Sequence, residues 1–169
     1  SKVTWKSAAA TAKVALMLQE EADAVAIYLN ARPSILARLR PGQELAWFMF
    51  GDRGANIYGD GVITTDKFVK EQRDVAQSFV QASARGYREA YADLRAGVEP
   101  ICKAFPELNR DLAVHELEAM REVGIGPAQQ KHGIGYVEPE KMDATYAAVV
   151  KLLGQPISRP VSDLYINLI

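Results

Sequence analysis

From Ala8 to Glu21 the chain places Ala12, Ala15, Leu16 and Leu18 on or near one face of a helical period, and leaves Lys13, Gln19 and Glu20 for water. That pattern predicts an amphipathic helix rich in small residues. Ser7 precedes it as a candidate N-cap, and the β-branched and aromatic stretch Lys2 to Lys6 predicts a strand feeding it. Asp23 to Ile27 is apolar without polar alternation, the pattern of a parallel strand covered on both faces, so the chain opens as β-α-β. Ser34, just after Pro33, is a candidate cap for a short helix through Arg40, Pro41-Gly42 predicts a turn, and Leu45 to Phe50 a fully buried strand. After Val62 to Thr64 the period changes to helical. Thr65 or Asp66 caps a first turn, and Asp74 to Tyr91 carries Val75, Phe79, Ala82, Tyr87 and Ala90 at helical spacing, with Gly86 costing about 1 kcal/mol relative to Ala. A further helix runs from near Leu94 to Phe105 and stops before Pro106, and Asn109 caps another through Arg121. Glu138-Pro139 opens the last long helix, which Gly154 and Pro156 close. The expectation is an α/β fold whose βαβ elements precede a helical second half.

Composition changes this picture little. With 169 residues, 49% hydrophobic and 24% charged, the chain has the make-up of one globular domain. Twenty basic against 21 acidic residues give a net charge of −1, and no Lys/Arg cluster is long enough to track a phosphate backbone, which argues against a nucleic-acid partner. The apolar run Leu45 to Phe50 falls far short of the roughly 20 residues that a spanning helix needs. One cysteine, Cys102, excludes an intrachain disulfide and any multi-cysteine metal site. The start at Ser1-Lys2-Val3-Thr4-Trp5 reads as the middle of a domain, with upstream sequence expected.

Catalytic apparatus is hard to find. His115 and His132 stand 17 residues apart, and Ala119 occupies the place of the second histidine that H-E-x-x-H would require after His115-Glu116. They read as surface or capping residues, and no metal or cofactor is expected. Cys102 lies in a predicted helix beside Ile101 with no histidine close in sequence, and reads as a buried structural thiol. No G-x-S-x-G elbow, P-loop or dinucleotide fingerprint occurs. What remains is a set of polar and aromatic residues just beyond the predicted strand ends: Ser7, Tyr28, Asn30, Asp52, Arg53, Asn56 and Tyr58. In an open parallel sheet, ligands bind outside the strands' carboxyl ends. Tyr28 and Tyr58 are suited to sandwich a flat group, and Arg53 with the helix terminus at Ser7 to hold an anion.

Several stretches carry a family resemblance. Ala12-Lys13-Val14-Ala15-Leu16-Met17-Leu18-Gln19 followed by Glu21-Ala22-Asp23-Ala24-Val25-Ala26 resembles the helix and "G-x-x-D-A" strand of the ABC-importer solute-binding proteins for nitrate, alkanesulfonates, taurine and thiamine precursors, with Glu21 replacing the usual glycine. Phe50-Gly51-Asp52-Arg53-Gly54-Ala55-Asn56-Ile57-Tyr58-Gly59-Asp60-Gly61-Val62-Ile63 is similar to the segment that recrosses between that family's lobes. Phe79 to Ala90 resembles its "F-x-x-A-x-x-x-G-x-x-x-A" helix; Gly133-Ile134-Gly135-Tyr136 with Pro139-Glu140 is similar to its late loop, and Val161 to Asn167 to its ending. The resemblance implies a two-lobed, periplasmic-binding-protein type II-like α/β fold, only part of which is present. Residues 1–50 would belong to lobe 2, 51–61 to the interlobe hinge, and 62–169 to the mainly helical end of lobe 1, with the N-terminal half of the protein missing. It further implies a non-enzymatic, periplasmic or membrane-anchored receptor that closes on a small organic anion or heterocycle and presents it to an ABC permease in the membrane. The same fold resembles pyrimidine-precursor synthases of the thiamine pathway, which depend on a cysteine-rich motif and an active-site histidine; a stand-alone interaction domain is the remaining reading.

Overall fold

Three helices of the second half begin where the side chain of the preceding residue satisfies a free amide. In the computed structural model, which describes residues 2–154 and 158–169, Thr65 Oγ1 accepts from the Phe68 N–H at 3.1 Å and opens α3, Asp66–Glu71. Helix α4 follows at Arg73–Ala92. Asp93 Oδ1 takes the Ala96 N–H at 3.0 Å to start α5, Leu94–Ala104, and Asn109 Oδ1 takes that of Leu112 at 3.0 Å to start α6, Arg110–Gly124. These bonds occupy donors that a helix N-terminus otherwise leaves orphaned. A short α7, Pro127–His132, comes next, and then α8, Pro139–Leu153, with Pro139 in its first turn and Gly154 capping its end in the left-handed conformation. Pro156 lies outside the described residues. Before these stand α1, Ala10–Leu18, and α2, Arg32–Leu36.

Helices α4, α5 and α6 pack on one another, and α6 also receives α2 and the 3₁₀ turn Leu29–Ala31. Ile35, 1% exposed, is the most deeply buried side chain, with Val98, Cys102, Ala119 and Tyr91 among the other buried ones. The α4–α5 crossing is close because Gly97 has no side chain: a Cβ there would stand 2.7 Å from the Ala90 Cα. Arg121 donates to the Tyr91 carbonyl at 3.2 Å, fastening α6 to α4. The single thiol, Cys102, is free and buried.

The expected α/β architecture is not found. Among the described residues there is no strand. Lys2–Lys6, Asp23–Ile27, Leu45–Phe50 and Val62–Thr64 run without regular structure, and none forms a ladder with another. From Gln43 to Phe48 the side chains do alternate, with Gln43, Leu45 and Trp47 half-buried and Glu44, Ala46 and Phe48 exposed. A strand is defined by the neighbour that takes its hydrogen bonds, and β propensity measures fit to a pleated surface rather than a backbone preference. With no neighbour aligned, these apolar segments stay open: Trp5 is 88% and Ile63 93% exposed. Arg32 and Arg53 cover two of the aromatic rings, with guanidinium carbons 5.2 Å from the Trp47 and 5.9 Å from the Phe48 centroid.

Two capping expectations also shift. Helix α1 is preceded by Ala9 rather than Ser7, with no side-chain cap. Helix α2 begins at Arg32, two residues before Ser34, because Pro33 suits a helix's first turn. The Ser34 hydroxyl instead donates to the Glu116 carboxylate and ties α2 to α6.

Candidate functional site

Tyr58 borders an open groove between residues 51–61, which carry glycines at 51, 54, 59 and 61, the α6–α7 connection and the first turns of α8. Its backbone N–H donates to Thr145 Oγ1 at 3.0 Å, and that hydroxyl donates to the Lys141 carbonyl at 2.7 Å. Its phenol oxygen accepts from the Glu138 N–H at 2.9 Å. Lys141 Nζ stands 4.7 Å from the ring centroid, within reach of a cation–π attraction. One tyrosine therefore ties residues 80 and more positions apart, as the Ser34–Glu116 bond does between α2 and α6.

The groove encloses about 620 Å³, within the range of small-molecule sites. Asn56, Gln129, Glu138, Glu140 and Lys141 supply its polar lining, and Gly54, Val123, Gly126 and Pro127 most of the rest. Two carboxylates, two amides and one ammonium make a wall that both donates and accepts hydrogen bonds. Burial pushes the Tyr58 phenol above its ordinary value of 10; the Glu138 amide bond works against this, while the Glu138 carboxylate, Tyr136 and Tyr165 add to it. Tyr58 therefore stays neutral at physiological pH, its oxygen available as an acceptor.

The seven residues read from the sequence do not converge. Asn56 lines the groove and Tyr58 borders it. Tyr28, 65% exposed, lies beside Tyr58's neighbour, its Cε1 3.8 Å from where a Gly59 Cβ would stand. Asp52 and Arg53 occupy the exposed 3₁₀ turn Gly51–Arg53 that leads into the groove at Gly54. Asn30 lies in the turn packed on α6, and Ser7 is exposed three residues before α1; neither lines the groove. The wall from α7 and α8, with Gln129, Glu138, Glu140 and Lys141, went unread. Its one sequence signal was the Gly133-Ile134-Gly135-Tyr136 loop running into Glu138-Pro139, which marks an element start but not what faces it.

A second depression of about 430 Å³ lies along α2 and α6, lined by Arg32, His115, Glu118 and Glu122 together with apolar Leu29, Leu36 and Leu112. Among the described residues no three His, Cys, Asp or Glu side chains are grouped to hold a metal ion, and no helix is long and apolar enough to cross a membrane.

The sequence model for a family described as NMT1/THI5 like matches residues 1–95. No curated protein and no solved structure matches the chain. The matched stretch carries Asn56 and Tyr58 but ends within α5, so the groove's far wall lies beyond it. Spanning more than half of the chain, the match shows that this protein belongs to the NMT1/THI5-like family, that of nitrate, sulfonate and taurine solute-binding proteins and thiamine-precursor synthases.

Proposed function

We propose that this chain is part of the extracytoplasmic solute-binding component of an ABC importer, periplasmic or held at the membrane surface, and that its solute contacts the groove beside Tyr58. Family membership supports the binding role. The groove supports the place, and the observation that carries it is Tyr58 itself, fixed at both its amide and its hydroxyl beside a polar concavity. In this reading the glycine-rich residues 51–61 are the joint that sets the near wall, and a membrane permease receives the solute.

The charge of the lining favours some of the family's cargoes over others. Glu138 and Glu140 give the lining one more negative than positive charge, which penalises a bare anion such as nitrate and favours a ligand that brings ring N–H donors to the two carboxylates. A heterocycle is therefore preferred over a simple anion.

A thermal-shift screen with an aminopyrimidine, taurine, methanesulfonate and nitrate tests this. A ligand at a hundred times its Kd adds about 2.7 kcal/mol, which in a domain of this size raises the melting temperature by roughly 5–10 °C. The aminopyrimidine is expected to give the largest rise and Tyr58→Ala to remove it. A flat response to all four probes, or a Tyr58→Ala variant that binds as tightly as the parent by calorimetry, refutes the assignment.

A further inference from the structure

The groove's far wall is held from outside. The loop Gly133–Glu138 has one internal backbone bond, from the Tyr136 N–H to the Gly133 carbonyl at 3.2 Å. Backbone bonds tie its two ends, the Gly133 N–H to the Gln129 carbonyl and the Met142 N–H to the Glu138 carbonyl, both at 2.9 Å, and between them it is fastened by side chains from elsewhere. Gln129 spans its start, accepting from the Gly126 N–H at 3.1 Å and donating to the Tyr136 carbonyl at 3.0 Å. Asn167 holds its end: Oδ1 accepts from the Val137 N–H at 2.8 Å, and Nδ2 donates to the Val137 carbonyl at 3.0 Å. A single amide side chain thus makes both bonds that a neighbouring strand would make.

The residues around Asn167 reinforce the hold. Leu168 is buried. Ile169 packs over Gly133 and Gly135, which have φ of +105° and +94° and whose hypothetical Cβ atoms would stand 3.4 and 3.5 Å from its side chain. Tyr165 lies near enough to Tyr58 to oppose ionisation of its phenol. From Val137 the next amide is Glu138, which donates to Tyr58 and precedes the first turn of α8. The route from Asn167 to the groove is therefore two residues long.

We propose that Leu164–Ile169 is a strap on the groove and that Asn167 is a positioning residue, acting through Val137 to hold Glu138, Tyr58 and the Lys141 turn in register. Its consequence for solute binding rests on the reading of the groove given above; the strap itself is testable without any solute. Loss of the Asn167 amide frees Val137 and, through it, the Glu138 N–H, while Tyr58→Phe frees Glu138 alone.

Amide hydrogen exchange on the ligand-free protein decides it. Asn167→Ala is expected to speed exchange at Val137 and Glu138 at least tenfold and to leave Arg73–Gly124 unchanged, whereas Tyr58→Phe speeds Glu138 only. A Val137 amide that accelerates while Glu138 stays protected overturns the proposal, as does no change at either. Should Asn167→Ala accelerate α4–α6 as well, Ile169→Ala decides, since it trims the packing on Gly133 and Gly135 and keeps the amide. The same two amides must then exchange at least threefold faster, and their unchanged protection sinks the strap. In a separate arm, calorimetry with the aminopyrimidine is expected to show at least tenfold weaker binding to Asn167→Ala. Equal affinity alongside released amides would mean that the strap holds a wall the solute does not touch, which refutes its positioning role. If the parent binds no probe, the exchange result still decides the strap and only the solute reading falls.

Discussion

Two glycines in adjacent helices should respond oppositely to the same methyl group. Gly86 lies inside α4 with nothing within 4 Å of its would-be Cβ, so Gly86→Ala gains helix propensity at no steric cost, about 1 kcal/mol. Gly97 lies inside α5, and its Cβ would meet the Ala90 Cα at 2.7 Å and the Ala90 Cβ and carbonyl oxygen at 2.8 Å. Those atoms cannot rotate away as the end of a long side chain would, so α5 must move off α4. Overpacking of this kind costs about 1–3 kcal/mol, against the same propensity gain of about 1 kcal/mol. The expected net effect of Gly97→Ala is a loss of about 1 kcal/mol, which places the two variants about 2 kcal/mol apart. For a chain of this length that is a separation of about 4–8 °C in melting temperature, read by circular dichroism at the helical minimum, with urea titration to confirm that the m-value is unchanged. A Gly97→Ala protein that melts at or above the parent would show that α4 and α5 do not cross as closely as described, and the three-helix packing would have to be redrawn.

Asn109→Ala removes the bond to the Leu112 N–H and should lower stability by about 1 kcal/mol; a melting temperature within a degree of the parent would remove that cap from the account. Ser34→Ala leaves the half-buried Glu116 without its hydroxyl donor and should cost about 1.5 kcal/mol, while the double variant Ser34→Ala, Glu116→Gln costs less than the two single changes added; strict additivity would mean that the pair is not coupled. Burial raises the phenols of both Tyr58 and Tyr91, the latter with help from Tyr87. A raised folded-state value means that the fold prefers the protonated form, so the stabilisation is complete below the ordinary value of 10 and is lost as pH rises through the folded values. Denaturant midpoints should therefore fall above about pH 10, and should fall less steeply in Tyr58→Phe and in Tyr91→Phe; identical slopes in all three proteins refute the burial argument. Lys141→Met leaves Glu138 and Glu140 unopposed in the lining, so methanesulfonate should bind at least threefold more weakly while the aminopyrimidine changes by less than twofold; the reverse order would place the anion away from this wall.

The helical half was legible because its signals are local. A cap is a contact between a side chain and an amide three residues on, so Thr65 and Asn109 announced the starts of α3 and α6 without reference to the rest of the fold. Pro139 and Gly154 likewise bounded α8. The apolar runs in the first half failed for the converse reason. Leu45–Phe50 and Asp23–Ile27 have strand composition, but a ladder needs a second segment at the right distance and direction, and composition holds no information on that. Ser7 and Ser34 failed as caps because neighbouring residues moved the helix starts: α1 begins after Ala9, and Pro33 draws the start of α2 back to Arg32.

The groove was half legible on the same principle. Asn56 and Tyr58 stood out as polar and aromatic residues beyond the end of the strand predicted at Leu45–Phe50, and they border the groove although that strand does not form. What faces them depends on α8 arriving at Tyr58 after a detour of 80 residues through α3 to α7. Nothing at Glu138 or Lys141 distinguishes them from other charges on a helix's first turn until that arrival is known. Loop closure over such a distance costs little more than over a short one, because its entropy grows only with the logarithm of the length. A few specific bonds then suffice to hold the ends together, and the structure shows which they are: the Tyr58 hydroxyl on the Glu138 amide, Thr145 on the Tyr58 amide, and Asn167 on Val137. The candidate site therefore lies where the fold depends on few contacts, which is why single side chains at 58 and 167 should govern it more strongly than their exposure suggests.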